Sequence, residues 1–177
     1  MIDGINQIDK KNNCVVEGPS DFYYLTAFSR FIGKKDINFI YGGGAGNMPK
    51  VGTILQGWGC KVIYLYDNDK AYKQAEKNIR KEWITITKDI ISKLEVDGSI
   101  EDILSKSDYI KYVIKKDLKK FDTKNSEYAK SKNRDKVIDA KSFLDTINNE
   151  NIKLNDASKK NINDLLKHLA EKFNYLN

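Results

Sequence analysis

The amino-acid sequence predicts an α/β fold in which a parallel sheet is flanked by helices and followed by a C-terminal helical annex. From residue 13 onward, short β-branched runs alternate with longer amphipathic runs, which is the pattern of parallel β-α units. After Asp97 and Gly98 the chain becomes helical and highly charged. A length of 177 residues suits one compact domain. We therefore predict a core over 1–120, with a basic loop and closing helices over 121–177 packed on it.

The first half of the chain predicts three strands and two helices. "CVVE" is the first strand, and "DFYYLTAFSRFI" is a helix with Ser20 as its N-cap and Gly33 as its end. "INFIY" is the second strand, "GGGAGN" a loop, "MPKVGTILQGW" the second helix and "KVIYLY" the third strand.

The rest of the chain predicts one more strand and several helices. "KAYKQAEKNIRK" is predicted as a helix and "WITIT" as the fourth strand, followed by a short helix "SIEDILS" capped by Ser99. Further helices are predicted at 107–119, 136–149 and 158–174. The segment "FDTKNSEYAKSKNRD" has weak periodicity, so we predict a flexible or substrate-contacting loop there.

Composition excludes several classes of protein. No apolar stretch approaches the roughly 20 residues that span a bilayer, and "IDGINQ" after Met1 is no signal region, so we expect a cytoplasmic protein without membrane contact. Cys14 and Cys60 are too few for a disulfide framework or a zinc cluster, and we predict buried free thiols. His168, the only histidine, lies in a predicted amphipathic helix far from the acidic loops, and the sequence offers no convincing nucleophile, so we expect no serine or cysteine hydrolase triad.

The positive charge is concentrated towards the carboxyl side. The formal net charge is +6, and the segment 111–141 is especially rich in lysine. This distribution is compatible with a polyanionic partner such as nucleic acid. Solvated lysine-rich helices would produce the same composition, so charge alone does not decide between the two interpretations.

Acidic residues follow the predicted strands. Glu17 ends the first strand with Asp21 four residues later, Asp67 and Asp69 end the third strand, and Glu101 and Asp102 follow the fourth. Because the carboxyl ends of parallel strands meet at one edge of a sheet, these acids would repel one another unless a cation offset them. Ligation by carboxylates alone favours hard ions such as Mg²⁺ or Mn²⁺.

Simpler interpretations of the same acids stay open. Asp67 and Asp69 also suit a turn with an Asx hydrogen bond or a helix cap, and Glu17 and Asp21 suit a cap and a first-turn acid. Lys136 opens a predicted helix after a basic loop and is a candidate ligand of a scissile phosphate, although it would also suit a solvated helix end.

The glycine run "GGGAGN" lacks both common nucleotide signatures. A P-loop requires Gly-Lys followed by Ser or Thr, whereas Asn47 and Met48 follow Gly46. The dinucleotide fingerprint fails too, because its third glycine position holds Asn47 or Pro49 in the two possible registers. What remains is either a merely tight connection or a loop whose backbone approaches a phosphate or a neighbouring acid closely.

The order of "VVEGPSD", "GGGAGN", "VIYLYDND" and "IEDIL" resembles the Toprim domain of the OLD (overcoming lysogenisation defect) family of nucleases. The resemblance covers residues 12 to about 120 well and the closing helices loosely. The chain departs from the family pattern at Asp21, where relatives often have Glu, and at Ala71 and Tyr72, where a glycine is usual.

The resemblance implies a metal-dependent endonuclease that hydrolyses DNA or RNA phosphodiesters with one or two Mg²⁺ or Mn²⁺ ions. It implies that Glu17, Asp21, Asp67 and Asp69 hold the main metal, that Glu101 and Asp102 assist a second, and that Glu17 and Lys136 act in catalysis. For the nucleic-acid backbone we predict contacts from Lys115, Lys116, Lys119, Lys120, Lys132 and Arg134.

The resemblance also implies a partner. Most relatives join this domain to an ATPase with a P-loop, a motif that this sequence lacks, so we expect either a subunit that works with a separately encoded ATPase or one domain of a longer chain. The first arrangement occurs in paired anti-phage defence systems, and the resemblance favours it. A homo-oligomer is compatible with this view. The rival interpretation is a non-catalytic Toprim-fold subunit that regulates or binds such an ATPase. A primase or topoisomerase is disfavoured, because zinc-binding cysteines and a defensible tyrosine nucleophile are absent from the sequence.

Overall fold

The described part of the chain has four strands, which form a parallel sheet at its centre. The computed structural model describes residues 12–34, 36–67, 91–94, 98–116, 120–174 and 176. The strands are β1 (Asn12–Val16), β2 (Asn38–Tyr41), β3 (Lys61–Tyr66) and β4 (Ile91–Lys93), in the spatial order β2-β1-β3-β4. Val16 lies opposite Tyr41 on one side and Leu65 on the other, so β1, β2 and β3 end at nearly the same level.

The described helices surround this sheet. They are α1 (Pro19–Ile32), α2 (Met48–Gly57), α3 (Lys106–Asp108), α4 (Asn125–Ser131), α5 (Lys136–Asn149) and α6 (Asp156–Asn174), with a 3₁₀ helix at Ile100–Ile103 and a π-helix at Tyr109–Ile114. The α/β class with a parallel sheet flanked by helices is confirmed. Within the described ranges, none of these helices has the length and apolar character needed to cross a lipid bilayer.

The core lies between the sheet and the helix pair α1 and α5. β1 and β3 are buried along nearly their whole length, as expected for central strands of a parallel sheet covered by helices. Phe143 of α5 packs against Tyr24 and Phe28 of α1, with ring centroids 5.8 and 6.1 Å apart. This aromatic cluster packs the middle of α5 against α1. Cys14 and Cys60 are buried free thiols, as predicted.

Helix α1 begins two residues earlier than the sequence suggested. Gly18, not Ser20, is the N-cap, and Pro19 occupies the first helical position, where its missing N–H costs nothing. Asp21 then stands third in the helix, and its Oδ2 accepts a hydrogen bond of 2.8 Å from the Gly18 N–H. Gly33 ends the helix in the left-handed conformation, as predicted.

The segment 121–135 is not the flexible loop that we predicted, because residues 125–131 form α4. Tertiary contacts stabilise this short helix. The buried Asn125 side chain donates hydrogen bonds of 2.8 Å to the carbonyl oxygens of Glu101 and Leu104. Tyr128 stacks on Phe121 with ring centroids 4.3 Å apart. Such contacts leave no periodic signal in the sequence.

Other predicted elements agree in part. The helices at 136–149 and 158–174 are confirmed, the second starting at Asp156. The helix expected at 107–119 corresponds to α3 and the π-helix, which ends at Lys115 in a left-handed conformation. Strand β4 at Ile91–Lys93 was not predicted from the sequence. The helix expected at 70–81 and the strand expected at 83–87 lie outside the described residues.

Gly42 ends β2 where a larger side chain has no space. A Cβ there would lie 3.0 Å from Val15 Cγ1 and 3.1 Å from the Val16 carbonyl oxygen, and that backbone atom cannot move aside. We expect Gly42→Ala to lower the free energy of unfolding by about 1–3 kcal/mol in urea titration. Gly46→Ala is the matched control, since a Cβ at Gly46 meets nothing within 4 Å. Equal stability of the two variants would contradict this prediction.

Candidate active site at the carboxyl edge of the sheet

Glu17 and Asp67 are brought together by the pairing of β1 with β3. Each residue directly follows its strand. The Glu17 carboxylate accepts a hydrogen bond from the Asp67 backbone N–H, with 3.3 Å between Oε1 and N. The first and third predicted acidic positions are therefore neighbours across the sheet.

Asp21 faces the same region from the first turn of α1. Its carboxylate and that of Asp67 line one narrow cleft, together with apolar side chains that include Leu65 and Ile100. Two carboxyl groups thus meet in a largely apolar surrounding, where ionised forms are poorly solvated.

The pKa values of both aspartates are raised. Burial is the main cause of the rise to about 7 for the pKa of Asp21, and the charges of Glu101 and Glu17 add to it, while the Gly18 N–H and Lys136 act in the opposite direction. Burial also raises the pKa of Asp67 to about 8, with further contributions from the charges of Asp21, Glu17 and Glu101. The charged forms of both carboxyl groups are therefore poorly solvated and are further disfavoured by the neighbouring acids.

Glu101 is the most deeply buried acid of the group. Its side chain is 2% exposed, and the Lys136 ammonium, which opens α5, lies 3.0 Å from its Oε1. The approach has the distance of an ion pair but not the angle of a hydrogen bond, so both Glu101 oxygens lack a hydrogen-bond donor among the described residues. Buried carboxylate oxygens without donors are uncommon and fit a cation ligand.

Asp102 accepts several hydrogen bonds, unlike Glu101, although the two are adjacent in sequence. Its Oδ2 accepts hydrogen bonds from the Ser99 N–H at 3.0 Å and the Ser126 hydroxyl at 2.6 Å, and its Oδ1 accepts one from the Ser126 N–H at 3.1 Å. Asp102 thereby caps the 3₁₀ helix and ties it to α4. A metal role for Asp102 stays a prediction, and it would compete with these bonds.

The glycine loop after β2 wraps around the end of β1. The Gly44 N–H donates a hydrogen bond of 2.9 Å to the Glu17 carbonyl oxygen, and Gly42 N–H donates one of 2.8 Å to Val16. Gly43 and Gly44 have positive φ angles of 76° and 93°, which glycine adopts without strain. The loop therefore approaches the backbone of a neighbouring acid, which is one of the alternatives that the sequence left open.

The predicted basic contacts differ in their surroundings. Lys115, Lys116, Lys120 and Lys132 are exposed. Arg134 is instead held by Asp139 in a bidentate ion pair, with 2.7 Å from Nε and 2.6 Å from Nη2 to the two carboxylate oxygens. Lys119, like Asp69 of the acidic set, lies outside the described residues.

Lys130 lines a cleft together with Lys136, but it was not among the basic residues predicted from the sequence to contact nucleic acid. Ser126, Lys130 and Arg134 stand four residues apart, and the first two lie on one face of α4. This spacing was available in the sequence, but it carries meaning only once α4 is known to be a helix.

The oxygen ligands available at this edge are of the type that binds a hard cation. Carboxylate oxygens from Glu17, Asp21, Asp67 and Glu101 are the ligands that Mg²⁺ and Mn²⁺ prefer. Among the residues that the structure describes, no group of three His, Cys, Asp or Glu side chains has the geometry to hold a metal ion. An ion bound by three acids therefore requires Asp69 or a change of side-chain rotamers.

Comparisons of this chain with protein-family models, with curated proteins and with solved structures found no match. Membership of a family is therefore a proposal, and it depends on the geometry of the acidic edge together with the sequence resemblance.

The raised pKa values predict a pH-dependent stability of the metal-free protein. Between the ordinary aspartate value of 3.8 and the folded values of about 7 and 8, Asp21 and Asp67 bind more protons in the folded state than in the unfolded state. Stability therefore decreases as pH rises through this window. We expect the free energy of unfolding in EDTA to fall by roughly 3–6 kcal/mol between pH 5 and 8.5, measured by urea titration.

Saturating Mg²⁺ should flatten this profile, because a bound cation replaces the protons. Asp164→Asn, an exposed acid on α6, serves as the control and should keep the slope of the native protein. A pH-independent stability in EDTA would contradict the prediction.

Proposed function

We propose that this protein is a metal-dependent endonuclease of Toprim type, which hydrolyses phosphodiesters of DNA or RNA. The observation that carries the proposal is the convergence of Glu17, Asp21, Asp67 and Glu101 with a single lysine, Lys136, at one edge of a parallel sheet. Active sites of open α/β sheets lie at this edge. Acids with raised pKa values in a cleft are typical of functional sites.

Glu17, Asp21, Asp67 and Asp69 would hold the main ion, and Glu101, with Asp102, would assist a second. When bound, Mg²⁺ or Mn²⁺ would activate water and stabilise the leaving oxygen of an in-line displacement. The chain's own contribution is positioning. The Asp67 N–H orients the Glu17 carboxylate at 3.3 Å, and the Gly18 N–H orients Asp21 at 2.8 Å.

Lys136 would stabilise the negative charge that develops on the phosphate. Its side chain is 39% exposed and its ammonium lies 3.0 Å from Glu101, so the residue contacts both the acidic edge and the solvent. A cation aimed at developing charge lowers the barrier of phosphoryl transfer. The basic segment from 111 to 141 would follow the nucleic-acid backbone, with little reading of base sequence.

The partner and the setting belong to the same proposal. A separately encoded ATPase would act with this chain, in the cytoplasm, as part of a defence against phages. The support is the sequence resemblance alone, because most relatives combine the two activities.

The experiment is a cleavage assay on labelled DNA and RNA with the native chain, with and without the proposed ATPase partner. We expect cleavage with Mg²⁺ or Mn²⁺, none in EDTA, and none by Glu17→Gln. If no combination of metal, substrate and partner gives cleavage, the nuclease proposal is wrong. A stable complex with the ATPase would then favour the non-catalytic subunit.

A further inference from the structure

A second cleft is lined in part by Lys136, whose ammonium also lies 3.0 Å from Glu101 of the acidic edge. It has a volume of about 490 Å³ and lies between α4 and the start of α5. The side chains that line it are all polar or charged and include Ser126, Glu127, Lys130, Asn133, Arg134 and Lys136. Its size falls in the range of ordinary small-ligand sites.

Positive charge dominates this cleft. Among the described residues that line it, three are cations and one, Glu127, is an acid, whose carboxylate accepts a hydrogen bond of 3.2 Å from the Lys124 N–H. Lys136 and Arg134 already face Glu101 and Asp139. Lys130 differs from both, because within the described part of the chain it has no ion-pair partner. A free ammonium in a polar cleft suits a phosphate group.

The walls of the cleft are held in place before any ligand binds. Asn133 adopts a left-handed conformation with φ of 48°, and its N–H donates to the Lys130 carbonyl oxygen at 3.1 Å. The Arg134 N–H donates to Ala129 at 3.0 Å, and Asp135 caps α5 through the N–H groups of Val137 and Ile138. The turn that carries Lys130 and Lys136 is thus fixed by backbone hydrogen bonds, which lowers the ordering cost of binding.

We propose that this cleft binds the sugar–phosphate backbone of the nucleotide next to the scissile phosphate, with Lys130 as the phosphate ligand. The inference depends on the proposed nuclease function, because Lys136 links the cleft to the acidic edge. Aromatic and aliphatic side chains are absent from the described lining, so the cleft has no platform for stacking a base. Recognition there is of the backbone and independent of sequence.

The test measures binding without cleavage. Fluorescence anisotropy of ten-nucleotide single strands, one of deoxythymidine and one of uridine, is followed in EDTA over a range of salt concentrations. The variant Lys130→Gln is compared with Lys160→Gln, which removes the same charge from an exposed lysine on α6. Inorganic phosphate is added as a competitor, to separate a strand from a free anion.

We expect Lys130→Gln to weaken binding about tenfold and to reduce the slope of log affinity against log salt by about 0.7, the value for one phosphate contact on a single strand. Lys160→Gln should change the affinity and the salt slope by less than half of the changes expected for Lys130→Gln. Inorganic phosphate should compete only at concentrations far above that of the strand.

Three results would overturn the inference: no binding of either strand by the native protein, equal behaviour of the two variants, or inorganic phosphate binding at Lys130 as tightly as a strand. Cleavage is measured separately with Mg²⁺. If the protein cleaves and Lys130→Gln does not affect binding, the proposed role of the cleft is wrong and the nuclease proposal stands. If binding depends on Lys130 and no cleavage occurs, the nuclease proposal is wrong and strand binding in the cleft stands.

Discussion

Replacing Asp67 by asparagine is expected to reduce metal-dependent cleavage at least about 100-fold while stabilising the metal-free protein. The two effects have one cause. In the folded state the charge of Asp67 is poorly solvated and faces Glu17, Asp21 and Glu101, as the rise of its pKa to about 8 indicates. The amide keeps the shape of the side chain but removes the charge that repels its neighbours and attracts a cation.

The measurement combines initial cleavage rates in Mg²⁺ with urea unfolding in EDTA at pH 8.5. We expect a gain of roughly 1–3 kcal/mol in the free energy of unfolding of Asp67→Asn. The control Asp164→Asn should alter neither quantity. An Asp67→Asn variant that cuts like the native protein would refute the role of this acid, and one that is destabilised in EDTA would refute the electrostatic account.

Replacing Lys136 by methionine is expected to lower the free energy of unfolding in EDTA by roughly 3 kcal/mol. Methionine keeps most of the alkyl chain but leaves Glu101, which is 2% exposed, without a positive partner. Removing the cation that faces a buried carboxylate costs more than removing both charges, because the carboxylate charge then stays buried without a partner. The double variant Lys136→Met with Glu101→Gln should therefore recover much of the loss.

Lys141→Met, on an exposed position of the same helix, is the control and should stay within about 0.5 kcal/mol of the native protein. Mg²⁺ should restore stability to Lys136→Met more than to the control, since an ion can replace the ammonium beside Glu101. Equal unfolding free energies for Lys136→Met and Lys141→Met would show that the pair contributes nothing to the fold.

The strand ends could be predicted because they depend on local patterns. An apolar run that stops at Glu17 or Asp67 identifies a buried strand and its exit, and parallel topology then places both exits at one edge. Lys136, which we predicted as a ligand of the scissile phosphate, lies 3.0 Å from Glu101, and its role in catalysis stays a prediction. Its position depends on α5, whose start at Lys136 was visible from the sequence.

What could not be predicted depends on tertiary contacts. Helix α4 is stabilised by Asn125, whose side chain donates hydrogen bonds to carbonyl oxygens more than 20 residues away. The hydrophobic periodicity of the segment therefore did not predict the helix. Arg134 was predicted to contact nucleic acid, but Asp139 holds both arms of its guanidinium. Glu101 and Asp102 look equivalent in sequence, yet only Asp102 is saturated with hydrogen bonds from Ser99 and Ser126.

The most direct test of the acidic edge as a cation site is anomalous diffraction from a crystal of this protein soaked in Mn²⁺. Our account predicts a Mn²⁺ peak within about 2.5 Å of carboxylate oxygens from both Glu17 and Asp67, and its loss in Asp67→Asn crystals. Manganese found only elsewhere on the molecule, or a peak at this edge that persists in Asp67→Asn, would contradict it.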